Sequence, residues 1–386
     1  MSYLFHGHPE ASSPTLILAH PTPLEITQTN ALSSISWAGA LTKTQHVEIE
    51  RQLASHLADG DGITHWILTQ SQAAPDRRPI LASCETIPKR CLVKEADGVV
   101  VREGLVYGVA GVFCDPAFRR RGYASRMLRE LAGVLRRRGA GGGVRGLNGV
   151  GSVLFSDIGR KFYADLGWAP FPSKHIELPA SQFSHCSPEV ATKAILAEDV
   201  EKLCADDEAL LRDSIAAVSA SERLFAVVPD HHTMVWHHKK EDFVCQRLFG
   251  KQPDVKGALV GKNGNRTWAI WTRTFYGAIN DPDAENRLYI LRLVIESPDS
   301  KEPGEQVGQL KAVLEAAQNQ AAEWKLDHVE VWNPDENVRR LLELTGIEHR
   351  LVERETEAIP SLLWFGDASG IGNRVEWAAS EKFAWC

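Results

Sequence analysis

A loop with three consecutive arginines, Arg119-Arg120-Arg121-Gly122-Tyr123-Ala124, separates a strand-like apolar run at 105–114 from a helix-like run at 125–138. Asp115-Pro116 ends the strand, because proline cannot donate to the next rung of a sheet ladder. Gly122 can adopt backbone angles closed to other residues, and the small Ala124 leaves the first N–H groups of the helix open to an anion. The arginines add charge-assisted donors. The loop is therefore predicted to bind a pyrophosphate, which makes a nucleotide-bearing cofactor the first hypothesis.

The composition is that of a globular protein, with 44% hydrophobic and 24% charged residues, and 386 residues predict two domains. The net charge of −7 argues against nucleic acid as a partner, despite basic clusters at 119–121 and 136–138. Seven scattered cysteines without Cys-x-x-Cys spacing indicate neither a disulfide framework nor a zinc site. Residues 1–20 lack the charged start and the long apolar core that are typical of a secretory signal, and no apolar stretch of the sequence reaches about 18 residues. We therefore expect a cytoplasmic protein without a membrane partner, and the oligomeric state stays open.

Two landmarks of the sequence resemble one enzyme family. Residues 111–128 are similar to the acetyl-CoA motif of the GNAT N-acetyltransferase superfamily. About forty residues downstream, Phe162-Tyr163-Ala164-Asp165-Leu166-Gly167-Trp168 resembles the second landmark of that family, a tyrosine four residues before Gly-aromatic. The resemblance implies acetyl-CoA as co-substrate. It also implies an α/β (α+β) GNAT fold, with a mixed sheet splayed near its centre and helices on both faces.

The predicted elements at 288–346 repeat the strand, helix, strand and helix order of 105–167, but without the arginine-glycine loop. We therefore expect a second, degenerate GNAT-like domain that does not hold acetyl-CoA. A crossover or linker is predicted at 174–188, where prolines and serines are frequent. The expected organisation is a catalytic GNAT domain at 1–178, a linker at 179–191, the degenerate domain at 192–370, and a tail at 371–386 that docks at or near the active site.

Three further stretches resemble fungal lysine N6-acetyltransferases of lysine catabolism: residues 154–159, residues 223–249 and the C-terminal Glu381-Lys382-Phe383-Ala384-Trp385-Cys386. This resemblance implies that acetyl-CoA and L-lysine give N6-acetyllysine and CoA by direct attack in a ternary complex. Such families contain members with other substrates, so another small-molecule amine or a protein amine is an alternative. A CoA-binding sensor or scaffold without catalysis is the alternative from a different class.

The position within the motif assigns cofactor binding to one strand end and the loop that follows it. Backbone N–H groups of Phe113 or Cys114 are the candidate donors to the thioester carbonyl, and the same stretch is expected to pair with the pantetheine amides. Cys114 could carry the acyl group in a ping-pong reaction, but a strand cysteine is more often a small buried hydrophobe. The complete predicted set is Val112, Phe113, Cys114, Arg119, Arg120, Arg121, Gly122, Tyr123, Ala124 and Ser125.

Amine acetylation needs a base and an acid. An ammonium with a pKa near 10.4 must lose its proton, which costs roughly 4 to 5 kcal/mol near pH 7. Tyr163 is the candidate acid for the leaving thiolate, with a core aromatic as the alternative. Glu85, on a strand beside 105–114, is one candidate base. The terminal carboxylate of Cys386 is the other, because the tail is aromatic-rich and unlike a frayed end, although it could equally pack on the second domain.

Free lysine also needs partners for its α-carboxylate and α-ammonium. Asp157, His231 and Trp236 are the predicted substrate-binding residues, and Arg90, His232 and His237 are further candidates. The adjacent histidines at 231 and 232 point to different faces and lack a third ligand, so we expect no metal.

Overall fold

The computed structural model describes residues 8–59, 62–141, 146–182, 191–219, 221–279, 281, 283–297, 303–366 and 374–385. These residues form two mixed β-sheets with associated helices, which confirms the predicted α/β fold class. Within them, no helix combines the length and apolar character needed to cross a bilayer.

The first sheet has nine strands, and its two central strands, β4 and β5, are parallel. The order is β1-β2-β3-β4-β5-β15-β6, while β9 pairs with the distal half of β3 and β16 pairs with β9. The strands are β1 (Leu16–Ala19), β2 (Thr64–Gln70), β3 (Ala82–Lys94), β4 (Val101–Phe113), β5 (Gly149–Ser156), β6 (Ala169–Pro170), β9 (Arg223–Val227), β15 (Ile359–Trp364) and β16 (Val375–Trp377).

The second sheet has seven strands in the order β14-β7-β13-β12-β11-β10-β8, and β12 and β13 are its parallel pair. It repeats the central pattern of the first sheet, as the order of the predicted elements indicated. The strands are β7 (Lys174–Pro179), β8 (Lys193–Ile195), β10 (Gly257–Lys262), β11 (Asn265–Thr274), β12 (Arg287–Ile295), β13 (His328–Trp332) and β14 (Arg350–Glu353).

The two sheets exchange strands. β7 precedes the other strands of the second sheet in the sequence and lies there between β13 and β14. In return, β15 pairs with β5 of the first sheet, and β9 and β16, also from the C-terminal half, extend that sheet beside β3. The prediction of a crossover or linker from residue 174 was therefore wrong for its first six residues. Alternating burial of Ile176 and Leu178 fits them to the interior of a sheet.

Eight helices accompany the sheets in the described residues: α1 (Pro23–Trp37), α2 (Lys43–Ala58), α3 (Tyr123–Ala140), α4 (Lys161–Ala164), α5 (Ala197–Ala217), α6 (His231–Phe249), α7 (Pro303–Glu323) and α8 (Glu336–Thr345). α3 connects the parallel strands of the first sheet and α7 those of the second. Thr22 and Thr42 form capping boxes that begin α1 and α2.

The hydrophobic core is continuous between the two halves. Phe155 and Phe225 of the first sheet share one buried cluster with Tyr289 and Trp332 of the second. Ile49 of α2, although N-terminal in sequence, packs in the core of the second sheet. The space between α2, the first sheet and the second sheet is where the candidate site lies.

Candidate active site

The parallel strands β4 and β5 separate halfway along their length. Their pairing runs from Leu105–Gly149 to Gly108–Val153, and no pair continues it in the described residues. Next to the separation, β4 has a bulge: the register with β3 shifts between Ser83 and Glu85, and Gly111 adopts a φ of +57°. A bulge leaves backbone groups outside the ladder. The predicted splayed sheet is thus present, and its opening leads to the strand end that carries Val112, Phe113 and Cys114.

The loop after β4 presents the N-terminus of α3 to this opening. Asp115 caps a short 3-10 turn by accepting the N–H of Ala117 at 2.8 Å. Gly122 begins α3 with a φ of +81° and provides no side-chain cap. The first intrahelical bond runs from Arg126 N–H to the Gly122 carbonyl, so the N–H groups of residues 123–125 precede the helical ladder. This geometry suits a phosphate oxygen.

The side chains of the predicted loop differ in their placement. Arg119 folds back, donating from Nε to the Cys114 carbonyl at 3.1 Å and lying over the Phe113 ring. Arg119 and Arg120 line the cavity, whereas Arg121 is exposed and does not. Tyr123 is buried, and its hydroxyl donates a hydrogen bond to the Pro9 carbonyl at 2.7 Å. The group of Tyr123 that can bind an anion is therefore its backbone N–H and not its hydroxyl.

One cavity of about 1300 Å³ connects these features. It exceeds the roughly 300–1,000 Å³ of ordinary small-ligand pockets, so its size suits a long cofactor together with a second molecule. The predicted residues that line it are Glu85, Val112, Phe113, Cys114, Arg119, Arg120, Gly122, Tyr123, Ala124, Ser125, Asp157, Tyr163 and Trp236.

Tyr163 lies on α4 with its side chain 8% exposed, packed edge-on against Phe162. Burial raises the pKa of Tyr163, and the negative charge of Asp157 raises it further. The phenol therefore keeps its proton at neutral pH and can act as a hydrogen-bond donor into the cavity.

Two carboxylates line the cavity beside the bulge. Glu85 on β3 lies against the bulge, where a Cβ on Gly111 would be 3.6 Å from the nearer Glu85 carboxylate oxygen. His65 Nδ1 lies 3.6 Å from Glu85 Oε1. Glu50 on α2 is the second carboxylate: burial raises the pKa of Glu50, partly offset by the charge of Lys240. Burial also lowers the pKa of the neighbouring His46 to about 4, so its imidazole is neutral at pH 7.

The C-terminal half of the chain contributes cations to the same cavity, among them Arg287 of β12, Lys240 of α6, Arg354 after β14 and Lys382 of the tail. Glu330 is buried among them and is fully engaged, accepting from Arg287, His328 and Trp332 at 2.9–3.1 Å. These contacts hold the pKa of Glu330 at about 2 despite burial. Arg354 and Lys382 have no carboxylate partner of this kind among the described residues.

The tail packs against the second sheet and α6. Glu381 accepts the Leu293 N–H at 2.9 Å and pairs with Arg292, and Phe383 is fully buried. Trp385 lines the cavity and its ring lies 6.0 Å from that of Trp236. Cys386, the predicted alternative base, lies outside the described residues.

The structure places the predicted histidines in two different pockets. His231 lines a different pocket of about 490 Å³, together with Arg90 and His232, although Trp236 and Trp385 border both pockets. Arg90 forms ion pairs with Glu103 and Glu208. The rings of His232 and His56 are stacked, with their centres 4.0 Å apart. His237 lines the main cavity but is buried and bonded to the Phe383 carbonyl at 3.2 Å. Burial and nearby lysine charges keep the pKa of His237 well below its ordinary value.

In the described part of the chain, one group of side chains has metal-like spacing, formed by His175, Glu177 and Glu330. Glu330 is bound by Arg287, and Glu177 is bound by Arg350. These arginines already supply the positive charge that a metal ion would bring, so the group is an ion-pair network.

Sequence reasoning missed Glu50, Lys240, Arg354 and Lys382 as cavity residues. None of them lies in the two GNAT landmarks, and each reaches the cavity only through packing of distant segments. Lys240 and Lys382 had a weak signal, because they lie within the stretches 223–249 and 381–386 that carried the closer resemblance.

A family model described as the LYC1 GNAT-like C-terminal domain matches residues 175–386, which is more than half of the chain. The chain belongs to this GNAT family. The GNAT resemblance of the sequence is therefore confirmed, and the match covers the half of this GNAT chain that lacks the arginine-glycine loop.

Solved structures agree on the fold of this GNAT chain. A GCN5-related N-acetyltransferase from Kribbella flavida is 18% identical with a TM-score of 0.51, over 90% of this chain and 70% of that one. A probable N-acyltransferase of unknown function from Enterococcus faecalis V583 is 11% identical with a TM-score of 0.51, over 90% of this chain and 72% of that one. Identities this low show the fold alone. No curated protein matches the chain in sequence.

Proposed function

We propose that this protein is an acetyl-CoA-dependent N-acetyltransferase that acts on a primary amine, with N6 of L-lysine as the favoured acceptor. The observation that carries the proposal is a single cavity bordered by the α3 N-terminus, the β4 bulge, Tyr163 and two carboxylates. Each of the steps that amine acetylation requires has a candidate group there: anion binding, carbonyl polarisation, amine deprotonation and protonation of the leaving group.

The residues present fit the cofactor. The N–H groups at the start of α3, with no Cβ on Gly122 and the small Ala124 behind it, suit a diphosphate. Arg119 and Arg120 add charge at the same rim. Bound acetyl-CoA would supply the activated acetyl thioester. Backbone N–H groups beside the bulge, at Phe113 or Cys114, are the proposed donors to the thioester oxygen.

Tyr163 is the proposed acid. Because burial raises its pKa, it retains the proton on Oη and stabilises a developing thiolate by donating a hydrogen bond, more readily than by complete proton transfer. Glu85 is the proposed base, since its carboxylate lies beside the bulge. Glu50 could share this role, because a carboxylate with a raised pKa is a better proton acceptor near neutrality. Both carboxylates also favour a cationic amine over a neutral one.

Tyr163→Phe tests the proposal. We expect turnover to fall about 10²- to 10⁴-fold, because the donor to the leaving group is lost. The affinity for acetyl-CoA should change little, since the phosphate-binding loop is untouched. Thiol release with a panel of amines measures turnover, and calorimetry measures acetyl-CoA binding. Tyr107→Phe is the matched control, a buried tyrosine of the same core that does not line the cavity.

Unchanged turnover in Tyr163→Phe would contradict the acid role. If the unaltered protein binds acetyl-CoA but acetylates no amine, it is a CoA-binding sensor or scaffold. If it acetylates only protein lysines, the free amino acid is not the acceptor.

A further inference from the structure

Two buried cations line the wall of the cavity formed by the second sheet and the tail. Arg354 follows β14 and is 4% exposed, and Lys382 begins the 3-10 turn of the tail and is 5% exposed. Both lie against the same ring: the Arg354 guanidinium carbon is 4.0 Å and the Lys382 Nζ 4.3 Å from the centre of Trp332. They therefore form one positively charged area of the cavity.

Neither cation has a carboxylate within ion-pair distance among the described residues. Arg354 donates from Nε to Ser173 Oγ at 2.8 Å, and its Nη1 lies 3.5 Å from His175 Nδ1. Its Nη2 is buried without a hydrogen-bond partner in the described structure. Lys382 Nζ contacts aromatic rings instead, at 4.1 Å from the centre of Trp385 and 4.4 Å from that of Tyr289.

An unpaired charge in a buried position is energetically costly, so the pKa of a buried cation falls. Burial lowers the pKa of Lys382 to about 7 and that of Arg354 to about 10. Glu330 and Asp157 favour the charged lysine, while Arg354 and Lys240 oppose it. Glu330 is already engaged by Arg287, so it does not neutralise the pair. An anionic group of a ligand would supply the missing partner.

A different part of the cavity carries carboxylates. Glu50 and Glu85 line it beside the β4 bulge, where the thioester is proposed to lie. The cavity thus offers carboxylates near the reaction centre and unpaired cations on another wall. Its charge complements a molecule with an amine to be acetylated and a carboxylate elsewhere.

We infer that Arg354 and Lys382 bind the carboxylate of the acyl acceptor. This subsite would select free amino acids with a side-chain amine over diamines, and over lysines within proteins, whose carboxyl groups are in peptide bonds. The inference rests on the proposed N-acetyltransferase function and names the substrate class of that site.

Three acceptors that share one side-chain amine isolate the contribution of the carboxylate: L-lysine, L-lysinamide with a neutral amide, and cadaverine with no carboxyl group. We expect kcat/KM for lysine to exceed that for the other two by about 10- to 100-fold, the usual effect of a hydrogen bond to a charged group. In Lys382→Met, KM for lysine should rise and this preference should shrink several-fold, with the remainder due to Arg354.

Lys251→Met is the matched control, because Lys251 also lies over a tryptophan, Trp324, but outside the cavity. It should keep the preference for lysine. The comparison of the three acceptors in the unaltered protein tests the inference even if Lys382→Met fails to fold. Equal kcat/KM for lysine and lysinamide would overturn the carboxylate subsite and leave the acetyltransferase proposal intact. Absence of thiol release with every amine would instead overturn the proposed function itself.

Discussion

Lys382 holds its ammonium group among three aromatic rings rather than against a carboxylate. Burial is the largest cause of its lowered pKa, about 7 against 10.5 for an ordinary lysine. Between these two values the unfolded chain binds more protons at this position than the folded one. The contribution of Lys382 to the free energy of unfolding therefore becomes more favourable as pH rises through this window. Binding of a carboxylate has the opposite pH dependence: it weakens as pH rises, because it needs the protonated lysine.

This opposition predicts a pH dependence of acceptor choice. Between pH 6 and 8.5, the ratio of kcat/KM for lysine to that for cadaverine should fall several-fold as pH rises past about 7, since Lys382 loses its proton. The ratio cancels the titration of the base and of the reacting amine, which both acceptors share. Arg354 stays charged over this range, so the fall should be partial. Lys382→Met provides the control with a flat ratio, and a flat ratio in the unaltered protein would contradict the prediction.

At the residue scale, the sequence predicted what lies in local motifs and missed what depends on distant packing. Gly122 and Ala124 were predicted because a turn into a helix is encoded by adjacent residues. Lys382 could not be assigned a role, because Tyr289 and Trp332, whose rings surround it, are remote in the sequence. His231 was predicted to bind substrate together with Trp236, but His231 lines the smaller pocket and not the main cavity, whereas Trp236 borders both.

At the scale of elements, the junction of β4 and α3 depends on a positive φ at its glycine. Gly122→Ala should cost roughly 1–2 kcal/mol of stability, because an L residue is strained at a φ of +81°. The added Cβ would also lie 3.3 Å from the Ala11 Cβ, so the loop that is proposed to bind the diphosphate has to shift. We expect acetyl-CoA binding, measured by calorimetry, to weaken about tenfold, equivalent to roughly 1.4 kcal/mol.

Gly250→Ala separates strain from function. Gly250 ends α6 with a φ of +70° and has no atom near its Cβ position in the described structure. It should lose similar stability in thermal unfolding and keep its acetyl-CoA affinity. An equal loss of affinity in both variants would mean that overall stability, and not the geometry of the loop at Gly122, controls acetyl-CoA binding.

Elements with strong periodicity were predicted close to their bounds, and others were not. The strand-like run at 105–114 matches β4 as far as Phe113, and the helix-like run at 125–138 lies within α3. α1 was missed, because its serines and threonines give it little amphipathic contrast. β15 could not be assigned to the first sheet from sequence, since its apolar run fits either sheet equally well.

At the scale of the whole molecule, the exchange of β7 and β15 makes each sheet depend on the other half of the chain. β15 contributes Ile359, Leu362 and Leu363, all less than 5% exposed. Burial of each such side chain stabilises by about 1.5–3 kcal/mol, which together is comparable to the roughly 5–15 kcal/mol of a whole domain. Without β15, moreover, β5 would have an open edge next to the splayed centre of its sheet. We therefore expect that neither half of the sequence folds alone.

A split of the chain within 183–190 tests this dependence. Residues 1–182 expressed alone should lack a cooperative thermal transition, because they carry β7 without its sheet and lack β9, β15 and β16 of the first sheet. Co-expression with residues 191–386 should restore both the transition and thiol release, since each fragment returns the strands that the other needs. The matched control is the intact chain cleaved at a protease site inserted in the same segment, which has the same break after folding and should stay associated and active. A cooperative melt of residues 1–182 alone would show that the first sheet closes without β15, and the exchange would then be a contact between independent domains.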